Sequence, residues 1–341
     1  MTRNASRLVV ALLVFTTAAR ADEKPTIDDV KKAWKASQDA HKSFRVEWVA
    51  TVTIKAGALD YVPDLNNPGP HPPKDTEYKA ACSFASNGDK AAASIEGSIY
   101  RMTTKTWHPA AEAIYFDGNS CVRVDPLIFP GWAQVSIGTG KLPLGTGLNS
   151  YINDPILRLY RPLGGGAFSD FPFEQFKPSG RTEKIRGATC IEIARKNPPA
   201  NPDHGHWLWC DPERGFLPVR ARQRYGDGYD LDWEYRKDAA GQWVPTGWQY
   251  TSLNGKGALQ YTVKAEVKKL DFAPTFAADA FAPKSPVSSH VVVYKDGEKQ
   301  DEYLIRPDGS KRALLAAERS KSYEEVIKTN ADGTPYAPAK K

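Results

Sequence analysis

At 341 residues the chain is long enough to bury a sizeable core, as one large domain or two ordinary ones. Its 46 Lys and Arg against 40 Asp and Glu leave a formal net charge of only +6. That excess is too small and too scattered to argue for a nucleic-acid partner.

The N-terminus reads as an export signal. Arg3 and Arg7 form a basic start, Leu8 to Phe15 is a short apolar run, and Ala19-Arg20-Ala21 is a small-residue cleavage site. Residues 1–21 are therefore expected to be removed, with the mature chain starting at Asp22. No cysteine follows the cleavage site to carry a lipid, and no later run is apolar for long enough to span a bilayer. A periplasmic or otherwise extracytoplasmic protein that does not span the membrane is expected.

A helix comes next. Thr26 is a suitable N-cap with Asp29 three residues on, and Ile27, Val30, Ala33, Trp34, Ala40 and Phe44 repeat near helical spacing, giving an amphipathic stripe to about Ser43. The period then changes to two. Phe44, Val46, Trp48, Ala50, Val52 and Ile54 alternate with polar residues, which predicts a long strand with one apolar side. Residues 57–76 are rich in Pro, Gly and Asn and predict an irregular loop. An antiparallel meander is expected after it, over Tyr78–Ser86, Lys90–Glu96, Ile99–Thr106, Ala113–Phe116 and Cys121–Asp125. Residues 126–150 are again Gly- and Pro-rich, and Asn149–Tyr160 predicts a short helix with Pro155 in its first turn.

Strands resume from about Arg181. Cys190 in GATCIEIARK and Cys210 in HWLWC fall opposite each other if a hairpin is centred near Ala200. A bridge there would close a loop of about 20 residues and contribute roughly 3 kcal/mol. Cys82–Cys121 would follow by elimination; buried free thiols are the alternative, which suits Cys82 best. Two hairpins then turn at Asp211-Pro212-Glu213-Arg214-Gly215 and Gly226-Asp227-Gly228. Centring the second on Asp227 sets Arg220 against Glu234, Arg222 against Asp232 and Arg224 against Asp230 on one side of the sheet. Val219, Ala221, Tyr225, Tyr229, Leu231, Trp233 and Tyr235 take the other. Trp243–Thr251 and Gln260–Leu270 continue the sheet, with Tyr250 expected beside Gln260. Beyond Pro283 the sequence predicts a hairpin of His290–Tyr294 with Glu302–Arg306 about Asp296-Gly297. A helix within Ser310–Lys328 and a disordered tail from Asn330 are expected to follow.

This order of elements resembles the LolA/LolB lipoprotein-carrier superfamily. The local match is WLWCDPERGFLPVRARQRY (207–225), similar to the strand, D-P-x-x-G turn and strand of LolA-like outer membrane lipoprotein-sorting proteins. FAPTFAADAFAP (272–283) is similar to the way such domains close. The resemblance covers about residues 26–283. It implies an α+β fold, an incomplete antiparallel β-barrel with helices covering the concave face. It also implies a carrier of acylated proteins or lipids, or in some relatives an envelope-stress sensor. The 57–76 loop, the four cysteines and the extension at 284–341 depart from the shorter carriers, and no ligand-contacting residue is carried over.

Little catalytic chemistry is legible. The Arg and acid pairs face each other on a wet surface and stay ionised, unlike acid–base catalysts. Asp203-His204-Gly205-His206 lacks further metal ligands, and His41, His71, His108 and His290 form no pattern. Gly164-Gly165-Gly166 follows a helix instead of opening one, and Cys121 has no partner histidine. No nucleophile elbow, phosphate loop or dinucleotide fingerprint is present. No enzyme, cofactor or metal site is expected.

What remains is aromatic. Phe44, Trp48, Trp207, Trp209, Tyr229, Trp233, Tyr235 and Trp248, with Trp243 nearby, are expected to line a concave cavity where a lipid or an acylated lipoprotein could sit. Core packing is the simpler use for most of them. The sequence thus predicts an exported carrier or chaperone without catalysis. The alternative is an envelope sensing or protein-interaction module with no transported ligand and an envelope protein as partner.

Overall fold

The computed structural model describes residues 24–58, 72–101, 106–125, 132–137, 150–163, 171–196, 204–282, 288–295, 298–318, 321 and 323–336. The signal segment, most of the 57–76 and 126–148 loops, Gly164-Gly165-Gly166, Asp203 and the Asp296-Gly297 turn lie outside the described residues.

Helix α1, Ile27–Ala40, begins at the expected cap. The Thr26 hydroxyl accepts from the Asp29 N–H while the Asp29 carboxylate accepts from the Thr26 N–H, a reciprocal capping box. Val30 and Trp34, one turn apart, are its buried residues. Strand β1, Ser43–Ile54, buries every second residue from Phe44 to Ile54, as its alternation requires. β2 (Thr76–Asn87), β3 (Lys90–Arg101), β4 (Thr106–Phe116), β5 (Ser120–Asp125) and β6 (Trp132–Ile137) continue the meander on one side of it. Lys90–Arg101 is a single strand, not the two short ones expected.

Helix α2, Ser150–Tyr160, holds Pro155 inside it instead of in its first turn. It leads to β7 (Phe176–Ile185), β8 (Ala188–Arg195), β9 (Gly205–Asp211), β10 (Leu217–Arg224), β11 (Gly228–Lys237), β12 (Trp243–Leu253) and β13 (Leu259–Asp271). β13 returns to pair with β1 antiparallel, so the two meanders make one open sheet. C-terminal strands β14 (Ser289–Lys295), β15 (Glu298–Ile305) and β16 (Lys311–Ala313) extend the same sheet, because β14 pairs parallel with β6. β7 and β16 are the free edges among the described strands. The long C-terminal helix is not formed: β16, a turn of 3-10 helix and a short α3, Tyr323–Val326, replace it. The expected disordered tail is ordered to Tyr336, whose hydroxyl donates to the Asp308 carboxylate.

The mostly antiparallel, unclosed sheet fits an incomplete barrel. A continuous helical cover is not evident; the short helices meet the sheet at particular points. Trp34 Nε1 donates to the Phe216 carbonyl at 2.8 Å and Trp233 Nε1 to the Pro155 carbonyl at 3.2 Å. Arg161, just past α2, donates to Ser86 Oγ at 2.7 Å and the Lys42 carbonyl at 2.6 Å, with its guanidinium over the Phe44 ring. Ile156, Leu157, Leu159 and Tyr160 of α2 join Val30, Trp34 and the inward residues of β1, β2 and β11–β13 in one apolar cluster.

The D-P-x-x-G turn has a local cause. Asp211 Oδ1 accepts from the Glu213 N–H at 3.0 Å, Arg214 Nε lies 2.8 Å from Asp211 Oδ2, and Gly215 takes a left-handed φ of 67°. Phe216, also left-handed, presents the carbonyl that Trp34 binds.

The second hairpin corrects the expected register. It is centred on Gly226, so Arg220 faces Asp232, Arg222 faces Asp230 and Arg224 faces Gly228. The displacement is two residues and leaves each side chain on its expected face, where a displacement of one would have inverted them. Asp230 receives Arg222 and Arg224, each at 2.7 Å, and Asp232 receives Arg220 at 2.8 Å. Glu234 turns to Arg186 instead. In β12 and β13, Tyr250 faces Val263, not Gln260, because the connection runs over Asn254–Ala258 and ends in a bulge at Leu253.

Candidate binding site

The aromatic residues separate into three groups. Phe44 is 0 % exposed, and Trp48, Trp233 and Trp248 are each 1 % exposed. Side chains so enclosed have no room for water beside them, let alone an acyl chain. Trp48 meets Trp248 at 5.4 Å between ring centroids, and Phe44 meets Tyr160 of α2 at 4.8 Å. These four are closed core here, which corrects their expected place on a cavity wall. Burying such a ring stabilises the fold by roughly 2–3 kcal/mol.

Trp207 and Trp209 lie on the opposite face. In β9 the inward residue is Leu208, paired with Ala221, so its neighbours face outward beside Arg222 and Arg220. The Arg220 and Arg222 guanidiniums stand 6.0 and 5.7 Å from the Trp209 ring, within cation–π range. These two tryptophans therefore leave the expected lining, and Trp209 braces the arginine ladder. The Trp207 ring also folds over Gly205, where an added Cβ would come within 2.4 Å of it. Trp243 stacks under Arg214 at 4.1 Å. Tyr235 lies near the turn end of β10, its hydroxyl donating to the Pro218 carbonyl at 2.6 Å.

The third group gathers at the opposite end of the inner face. Pairing across the strands puts His206, Gln223, Tyr229, Ser252, Tyr261 and Ile54 in one transverse row. Tyr250 stands one row deeper and bridges its neighbours. Tyr229 stacks on Tyr250 at 5.3 Å and 22°, and Tyr250 on Tyr261 at 6.0 Å and 20°. All three tyrosines are half-buried. The Tyr229 hydroxyl is 3.2 Å from His206 Nε2, and the Arg158 guanidinium of α2 is 5.9 Å from the Tyr229 ring centre. Burial, with Arg158 and Arg195 nearby, pushes the His206 imidazole down to about 4. Burial likewise pushes the Tyr250 phenol up, with Tyr261 and Tyr229 beside it.

Of the expected lining, Tyr229 is the member that belongs to this end. Tyr250, Tyr261, Arg158 and His206 were not singled out as lining from the sequence. The period-two alternation of β12 and β13 carries the signal for the two tyrosines. Arg158 arrives from a helix far away in the chain and has no local signal. His204 is exposed while His206 points inward, and no three His, Cys, Asp or Glu side chains among the described residues form a metal-binding group.

The expected Cys190–Cys210 bridge is not formed. Cys210 faces Ile191, so the neighbouring Cys190 projects to the other face of the sheet, where it packs with Trp209 and Val219. All four cysteines are free and buried. Burial pushes the Cys82 and Cys121 thiols up to about 12 and the Cys190 thiol up to about 11, which disfavours the thiolate at each.

A concavity lies on the outer face, where the segment after β13 crosses β1–β3. It encloses about 230 Å³ between Arg45, Glu47, Ser83, Ser94, Tyr115, Phe276 and Phe281. Arg45 stacks on Phe276 at 5.2 Å, and Phe276 on Phe281 at 4.8 Å.

No helix among the described residues is long and apolar enough to cross a membrane. No family model matches the chain, and no curated protein matches it. Among solved structures it is similar to a DUF1329 family protein from Desulfovibrio piger, at 12 % identity and a TM-score of 0.40, over 74 % of this chain and 97 % of that one. It is also similar to a porin-like protein from Bacteroides uniformis, at 7 % identity and a TM-score of 0.22, over 66 % and 96 % of the two chains.

Proposed function

We propose that the protein is an exported, non-catalytic binding protein for a lipid or acylated ligand, in the manner of the LolA-like carriers its layout resembles. The observation that carries this reading is the half-buried Tyr229–Tyr250–Tyr261 stack beneath α2. The stacked rings at the margin of a closed apolar core offer their edges and outermost faces to an aliphatic chain, and each methylene buried there contributes about 0.8 kcal/mol. No bond need be made or broken: the ligand is shielded from water and released. Deeper entry would require α2 to move off the core, which makes α2 a partial cover at this end. The export signal read at residues 1–21 supports a periplasmic or equivalent compartment for this work. Native mass spectrometry and organic extraction of protein purified from its own envelope test the reading. A bound single-chain or acylated lipid is expected. Empty protein that also takes up no fluorescent fatty acid would overturn it.

The outer groove favours a second reading, an envelope interaction module with no transported ligand. Crosslinking in the native envelope separates the two: one fixed protein partner captured near Phe276 without lipid supports the second.

A further inference from the structure

We propose that the outer recess beneath Phe276 and Phe281 binds a small zwitterion, a free aliphatic α-amino acid, with its carboxylate on Arg45 and its ammonium on Glu47. The recess lies across the sheet from the tyrosine stack and does not depend on the lipid reading.

The sheet pattern makes the recess. Pairing sets Ser83 and Ala85 of β2 beside Ser94 and Ala92 of β3, and all of them face outward, since Cys82, Phe84 and Ala93 between them are buried. Small side chains in one block leave a low floor. Arg45 and Glu47 of β1 stand along one margin, paired with Ala85 and Ser83; Tyr115 of β4, paired with Ala92, stands along the other. The segment after β13 closes the top. Phe281 is buried there, and the Ala280 and Ala282 N–H groups donate to the Ala277 and Asp279 carbonyls in successive turns. The space of about 230 Å³ falls below the range of about 300–1,000 Å³ usual for larger ligands, so its occupant is small.

Two opposite charges line this space without a counter-ion. The register puts Asp271 of β13 opposite Arg45 and Lys269 opposite Glu47, so each has an available partner in the ladder. Neither ion pair forms. The Arg45 guanidinium lies over the Phe276 ring at 5.2 Å, and the Arg45 and Glu47 side chains make no hydrogen bond or ion pair among the described residues. Just past Glu47 the register shifts where β13 carries an extra residue, Lys268, which pairs with Glu266 instead. Such a bulge re-aims the side chains beside it. Arg45 and Glu47 are half-buried, so solvent screens a charge brought to them less than it would on an open surface.

An α-amino acid carries both complementary charges on one carbon. Residues two apart on a strand have Cα atoms about 7 Å apart, and side chains as long as Arg and Glu can converge on such a group. The Ser83 and Ser94 hydroxyls, 2.7 Å apart, spend one proton on each other and leave the second to donate to a ligand oxygen. Ala85, Ala92 and Phe281 supply apolar wall for an aliphatic side chain. A single ion would match one charge and be repelled by the other; a neutral sugar would match neither.

The test is calorimetry on the full chain with leucine, leucinamide and isocaproate, with glucose as a neutral polyol. Leucinamide lacks the carboxylate of leucine and isocaproate lacks its ammonium. Leucine should bind at millimolar concentration or below, and each single-charge analogue about tenfold or more weakly. R45Q should abolish the advantage of leucine over leucinamide, and E47Q its advantage over isocaproate. Equal binding of leucine and its analogues, binding of glucose alone, or no binding of any would overturn the inference. Leucine binding unchanged in both variants would also overturn it, since the ligand would then sit elsewhere. Should a variant not fold, the ranking of ligands on the unaltered protein decides, with the Tyr115 and Phe276 ring signals in NMR required to shift with leucine.

Discussion

Trp233 on β11 and Pro155 on α2 are tied by one hydrogen bond, the indole N–H donating to the proline carbonyl at 3.2 Å across a wholly buried contact. It is a polar link between the short helix and the sheet floor, set among Ile156, Leu157 and Leu159. W233F keeps most of the apolar contact and removes the donor. It should cost about 1–2 kcal/mol, including the carbonyl left unpaired, as read by urea denaturation. If α2 must lift to admit ligand, W233F should also speed uptake of a fluorescent fatty acid; unchanged uptake alongside the lost stability would argue for a fixed helix.

The arginine ladder should matter more for pairing than for stability. Arg222 and Asp230 are partly exposed, at 41 % and 25 % of their side chains, and solvent screens their attraction. A double-mutant cycle of R222A and D230A should give a coupling below about 1 kcal/mol, reduced further by salt. A coupling several times larger would mean that the pair is dehydrated in solution.

These two cases mark where the sequence was and was not legible. Capping by Thr26 and Asp29 and the alternation of Phe44 to Ile54 are local signals, and both elements formed as read. The ladder register missed by two residues because Gly226 and Asp227 both suit a turn centre, and only the assembled pairing chooses. Trp207-Leu208-Trp209 misled for another reason. All three are apolar, so alternation alone does not say which face they take, and pairing of Leu208 with Ala221 settled it. The tyrosine end stayed hidden because it joins α2, β9, β11, β12 and β13, which are distant in sequence.

His206 makes a prediction about pH. Its folded value is pushed down to about 4 by burial, Arg158 and Arg195, from 6.5. Between these values the unfolded chain binds more protons, so the stability contribution is complete above the unfolded value and declines as pH falls toward about 4. The full window is worth at most ~3 kcal/mol, and less because the ring is partly solvated. Burial lowers His41 in the same direction, so the comparison must be with H206Q. From about pH 7 to about pH 4.5, H206Q should lose roughly 1–2 kcal/mol less than the unaltered protein in chemical denaturation. Parallel curves would show that His206 is solvated and ordinary.

The thiols make a third test of geometry. With Cys190 and Cys210 on opposite faces and all four cysteines buried, the native protein should react slowly with iodoacetamide. Denaturation without reductant should then yield four alkylated cysteines by mass, and reductant should leave the melting temperature unchanged. Two alkylated sites and a melting temperature lowered by reductant would establish a bridge.

The most direct test is NMR of ring protons during titration with a carbon-13-labelled dodecanoate. The tyrosines of the stack, Tyr229, Tyr250 and Tyr261, should shift and show cross-peaks to chain methylenes, while the indole signals of Trp48 and Trp248 stay in place at first occupancy. Cross-peaks to Trp48 and Trp248 without the tyrosines, or no cross-peaks to any of them at saturating ligand, would contradict a binding wall at this end of the half-barrel.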